Sequence, residues 1–223
     1  MRVISIISIL TTMSLFGCAA GVKHLKSALV PTDIKIIRYH VGEYYKSLEE
    51  FTWRLYLKNP KYEKDLKMRK KKIRGIFYGE ELPHTVYNNQ LSHKVLEAAF
   101  GANPTYEDRV FLLSLGLVKA IRETYNIEES MFVTSLEIPP EKLERLYFNI
   151  SHLNWRLKVY RDERGKLLFL TNEAGENGYI NMGYEIIMTG ILTRIKDDIF
   201  LRDGATPKLL FKMSTLFLPL ILL

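Results

Sequence analysis

The chain has 223 residues, 47% of them hydrophobic and 26% charged, with a formal charge of +7. That is a globular composition with enough apolar mass for a core, which excludes an intrinsically disordered chain. A single cysteine, Cys18, excludes an internal disulfide and a thiolate metal cluster, so stability must come from packing. The positive balance favours anionic partners.

The first element is an N-terminal segment with a charged start at Arg2, an apolar run from Val3 to Phe16, and Leu15-Phe16-Gly17-Cys18 at its end. About 14 apolar residues are too few to cross a hydrocarbon core of roughly 30 Å as a helix, so the segment reads as a secretory signal. An ordinary signal peptide, or a buried N-terminal helix that contains a cysteine, is the alternative. Leu15-Phe16-Gly17-Cys18 resembles the lipobox of bacterial lipoproteins, whose leader is cut just before the cysteine. The resemblance implies that residues 1–17 are a signal peptide and that Cys18 becomes an N-terminus carrying palmitate-type acyl chains. Ala19 stands where an aspartate marks inner-membrane retention in that family, which implies the outer membrane, facing the periplasm. Without residues 1–17 the charge would be +6, since Arg2 is lost, and no thiol would remain for catalysis.

A tether over 18–31 then leads into one helical domain, 32–223. Thr32 or Asp33 suits an N-cap. From Ile34 to Leu57, Ile34, Ile37, Val41, Tyr44, Leu48, Phe51 and Leu55 recur at spacings of three and four, which predicts a long amphipathic helix. The repeat covers only about three heptads without regular charged flanks, which favours an intramolecular bundle over a coiled coil.

Asn59-Pro60 is a boundary, with Pro60 expected to open a second helix. Lys58 to Arg74 is the most basic stretch, centred on Lys70, Lys71 and Lys72. It reads either as a solvated face or as a surface that docks on anionic lipid, glycan or an acidic envelope protein; an export signal argues against nucleic acid. Gly75 and Gly79 are expected to break the pattern around Ile76-Phe77-Tyr78.

Residues 80–104 look irregular apart from a short helix capped by Ser92. Thr105 can cap a helix reaching Tyr125, and its middle, Val110 to Val118, is apolar nearly all round, which predicts a central buried helix. Pro139-Pro140 starts the next, with a stripe of Leu143, Leu146, Ile150 and Leu153. Near Trp155 two readings compete: helix to Tyr160, or a β-hairpin over about 155–171 turning at Asp162 to Gly165. The hairpin is favoured, with Trp155 enclosed. A last helix, 181–201, carries Tyr184, Ile187, Met188, Ile191, Ile195 and Ile199, and Asp203-Gly204 is expected to end it. The apolar tail, 209–223, either packs on the domain or enters a membrane. The fold class is therefore mainly α, a helical domain with one small hairpin.

Histidines 24, 40, 84, 93 and 152 include no pair three or four apart, and no metal or cofactor motif is present. Carboxylates adjacent in sequence, such as Asp197-Asp198, point about 100° apart on a helix and do not make a catalytic pair. Glu129-Ser130-Met131-Phe132 resembles the Glu-Ser-x-Phe start of soluble lytic transglycosylases, which cleave peptidoglycan. That resemblance implies Glu129 as acid/base, although the family's later Gly-Leu-Met-Gln stretch has no counterpart here. The reading is a lipid-anchored envelope protein with a non-catalytic binding or assembly-support role; the alternative is a peptidoglycan-cleaving enzyme using Glu129.

Overall fold

The computed structural model describes residues 32–101, 108–125, 138–172 and 182–221, with side chains to residue 202. The helices are α1 (Thr32–Lys58), α2 (Leu66–Tyr78), α3 (Ser92–Phe100), α4 (Arg109–Tyr125), α5 (Pro140–Val159) and α6 (Gly183–Ile221). No strand occurs among the described residues, so the chain is mainly helical.

In α1 the three-four stripe is the buried face: Ile34, Ile37, Tyr44, Leu48, Phe51 and Leu55 are all essentially inaccessible. Asn59 closes the helix, its backbone N–H reaching the Leu55 carbonyl at 2.8 Å. Pro60 opens a turn, not a helix. The next helix waits for Asp65, whose carboxylate accepts the Lys67 N–H at 2.7 Å as an N-cap. The two glycines of α2 do different work. Gly75 stays inside the helix, where an added Cβ would lie 2.8 Å from Leu82 Cδ2, and Gly79, at φ 75°, is the left-handed residue that ends it.

Ser92 is not the cap of α3; Leu91 holds that position without a side-chain bond. The capping comes from α4, since Glu123 accepts the Ser92 N–H at 2.7 Å and its hydroxyl at 2.5 Å. Helix α4 starts behind Asp108, whose Oδ1 accepts the Phe111 N–H at 2.9 Å. Every residue from Val110 to Val118 is buried, which makes α4 the central helix. Gly116 lets α3 sit directly on it: a Cβ there would fall 2.7 Å from Leu96 Cγ and 3.2 Å from the Leu96 backbone nitrogen.

The hairpin is not formed. Trp155 to Val159 belong to α5, which has no glycine or proline between Pro140 and Tyr160 to stop it. The chain then turns through Asp162 to Gly165, with Gly165 at φ 73°, and makes one antiparallel bridge, Arg161 to Leu167. Pairing goes no further because the returning segment is claimed by the end of α1. The side-chain amide of Asn59 donates to the Leu170 carbonyl at 3.0 Å and accepts the Leu170 N–H at 2.7 Å, while Tyr62 Oη donates to the Leu168 carbonyl at 2.5 Å. Trp155 is 52% exposed, not enclosed.

Helix α6 buries Tyr184, Met188, Ile191 and Ile195, with Ile187 and Ile199 partly covered. It runs past Asp203-Gly204 to Ile221, because an interior glycine costs a helix only about 1 kcal/mol and does not by itself end one. No helix among the described residues is long and apolar enough to cross a membrane. The four longest helices close a cycle: α1 packs on α4 and α6, and α5 packs on the same two. Helices α2 and α3 cover the remaining sides of α4.

Candidate functional site

Helices α3 and α5 both lie on α4, yet their backbones do not approach each other. The gap between them is a cleft of about 320 Å³. Leu117 and Ala120 of α4 form its floor; Leu96 and Phe100 of α3 and Ile150 and Leu153 of α5 form its apolar walls. His93 and Glu97 stand on the α3 side, and Asn149, His152 and Arg156 on the α5 side. The gap exists because Gly116 draws α3 tightly against one side of α4, while Leu143, Leu146, Ile150 and Leu153 hold α5 against the core with its outer face free.

Arg156 is the distinctive group. Its guanidinium lies 5.9 Å from the Phe100 ring centroid and 5.4 Å from that of Tyr160, within cation–π range of both. Its Nε is buried and has no hydrogen-bond partner among the described residues. The acid in the cleft, Glu97, is held by Lys94 at 3.3 Å. Against the cleft's outer edge lies Trp155, whose ring packs on His152 at 5.5 Å and on Tyr160 at 6.1 Å.

Two further clusters of titratable groups are internal. Asp198 of α6, inaccessible to solvent, meets His40 Nδ1 at 2.6 Å and accepts the hydroxyls of Tyr44 at 2.7 Å and Tyr125 at 2.5 Å. Burial raises its carboxyl above the ordinary value, and the hydrogen bonds from Tyr125, Tyr44 and His40 only partly oppose that. The same burial, with the Asp198 charge close by, pushes the Tyr44 and Tyr125 hydroxyls up. This cluster ties α6 to α1 and α4. The second ties α1, α2 and the start of α4: Asp108 accepts from Tyr56 Oη at 2.9 Å and from Lys72 Nζ at 2.8 Å, and Lys72 also reaches Glu63 at 2.6 Å. Burial raises the Asp108 carboxyl despite the lysine beside it.

The residues singled out in the sequence fall in three places. Cys18 and Glu129 lie outside the described residues. Lys70 and Lys71 are exposed on α2, next to Lys67 on the same face. Lys72 is not part of that surface; it is 4% exposed and committed to Asp108 and Glu63. Periodicity did not single out Arg156, His93 or His152, because three helices that are distant in sequence supply the cleft. Asp198 did carry a signal. It continues the buried series Met188, Ile191, Ile195 at the same spacing, and a carboxylate in an apolar stripe requires partners.

No group of three or more histidines, cysteines or carboxylates that could hold a metal ion occurs among the described residues. Comparison of the chain with protein-family models, with curated proteins and with solved structures gave no match.

Proposed function

We propose that this chain is a lipid-anchored protein of the bacterial cell envelope, held by acylated Cys18 at the outer membrane and facing the periplasm. Its helical domain acts by binding, or by supporting an envelope assembly, and the cleft between α3 and α5 is its binding site. The reading is carried by Cys18, the chain's one cysteine, placed directly after Gly17 at the end of a short apolar segment. A single acyl chain anchors only marginally, at about 0.8 kcal/mol per buried methylene, so a stable tether needs more than one chain at Cys18. The cleft supports the binding part, since concave apolar sites with a few converging polar groups are where ligands are held.

The decisive measurement is mass spectrometry of the protein's N-terminus after growth with labelled palmitate. Acylation at Cys18 is expected; an unmodified thiol removes the anchor from the reading. A zymogram on murein covers the rival function. Lysis by the wild type and none by Glu129→Gln would replace binding with peptidoglycan cleavage.

A further inference from the structure

We propose that the cleft between α3 and α5 binds a small anionic amphiphile, a medium-length acyl chain ending in a carboxylate, with Arg156 receiving the carboxylate. This rests on the cleft being the binding site and adds the class of its ligand.

Three observations lead there. Leu96, Phe100, Leu117, Ala120, Ile150 and Leu153 offer a chain a continuous apolar surface, and His93, Glu97, Asn149, His152 and Arg156 supply the polar groups beside it. Arg156 lines the cleft with its guanidinium against Phe100 and Tyr160, and no carboxylate pairs with it among the described residues. A guanidinium gains more from a charged acceptor than from a neutral one. The sign of the ligand follows from the pairing: Glu97 is exposed and has Lys94 beside it at 3.3 Å, whereas Arg156 has no carboxylate partner among the described residues. Phe100 and Tyr160 flank the guanidinium, and a guanidinium can take a carboxylate with two parallel hydrogen bonds. The volume, about 320 Å³, is at the small end of ligand sites, which fits one medium chain and excludes a whole diacyl lipid.

The test uses the full-length chain carrying Cys18→Ala and equilibrium dialysis with labelled decanoate, decanol and decyltrimethylammonium. Decanoate is expected to bind saturably, with decanol about ten- to a hundredfold weaker, the range that a hydrogen bond to a charged group supplies. The cation should bind no better than decanol. Arg156→Gln should bring decanoate down to the level of decanol and leave decanol unchanged. Arg156→Lys should restore part of the difference, since it keeps the charge and loses the fork. Ala120→Phe, filling the floor, should abolish both; Asn149→Trp at the exposed rim replaces it if that variant does not fold.

Equal binding of decanoate and decanol, both lost on filling the cleft, would overturn the ligand class and leave the cleft as a binding site. Preference for decanoate that survives Arg156→Gln would overturn the role of Arg156. Absence of saturable binding by all three probes, or binding indifferent to both filling variants, would remove the cleft itself from the proposed function.

Discussion

Asp198 shows what one residue can do to the energetics of the bundle. Its carboxyl is raised by burial, so the folded state holds its proton more tightly than the unfolded chain does. The associated stability is fully present below the unfolded value, about pH 3.9, and is lost as pH rises through the raised folded value. Asp198→Asn keeps an acceptor for the tyrosines and has no proton to lose. Chemical denaturation between about pH 4 and pH 7 should therefore show wild type losing stability relative to Asp198→Asn as pH rises; parallel curves would contradict this. Gly116 is a second residue with reach. A methyl group there meets the Leu96 side chain and its backbone nitrogen, so α3 must back away from α4. Gly116→Ala should cost about 1 to 3 kcal/mol, the range for overpacking, and change the shape of the cleft that Leu96 lines. A melting temperature equal to wild type would mean that α3 shifts without cost.

At the scale of the element, α4 and α2 make opposite demands. The middle of α4, Val110 to Val118, is buried throughout, and truncating Leu113 or Leu117 to alanine should cost about 2 to 5 kcal/mol through lost burial and the cavity left behind. Urea unfolding measures it, and near-neutral effects at both positions would mean that the core does not depend on α4. Helix α2 is divided by face. Arg69 and Lys72 turn inward, Arg69 Nε reaching the Glu63 carbonyl at 2.6 Å, whereas Lys67, Lys70 and Lys71 turn outward. If the outward three face an anionic membrane, each would contribute about 1 kcal/mol, an attraction that fades within a Debye length of roughly 8 to 10 Å. Replacing Lys67, Lys70 and Lys71 with glutamate in the Cys18→Ala protein should abolish salt-sensitive sedimentation with anionic vesicles. Equal sedimentation of variant and parent would leave α2 as a solvated face. Lys72 must be left intact in this experiment, because removing it strands the buried Asp108 charge.

At the scale of the whole molecule, the helices join through two internal polar clusters and leave open the gap between α3 and α5. Cys18→Ala should move the protein from the membrane pellet to the soluble fraction, or leave the leader uncut. Unchanged membrane retention on fractionation would assign anchoring to another part of the chain, and a protein released from the anchor should keep the unfolding curve of the tethered one.

Much of the helical architecture is local and was legible from periodicity. The stripe of α1, the enclosed middle of α4, the start of α5 at Pro140 and the left-handed turn at Gly165 follow from spacing, proline geometry and glycine's freedom at positive φ. Some departures are local, such as Pro60 in a turn before the Asp65 cap and α5 running on without a breaker, and others arise where a distant group supplies the deciding bond. Glu123 caps α3 from another helix, and Asn59 takes the backbone of Leu170 that a hairpin needed. Asp108 draws Lys72 out of a run that reads as uniformly exposed. The cleft is of the same kind, because it is a space left by three helices brought together by packing on Gly116 and the α5 stripe. Apolar spacing follows the helical repeat, so the faces that must be buried are written along the chain. Which polar groups meet, and where a gap remains, depends on contacts between residues far apart in it, and packing of the helices fixes both.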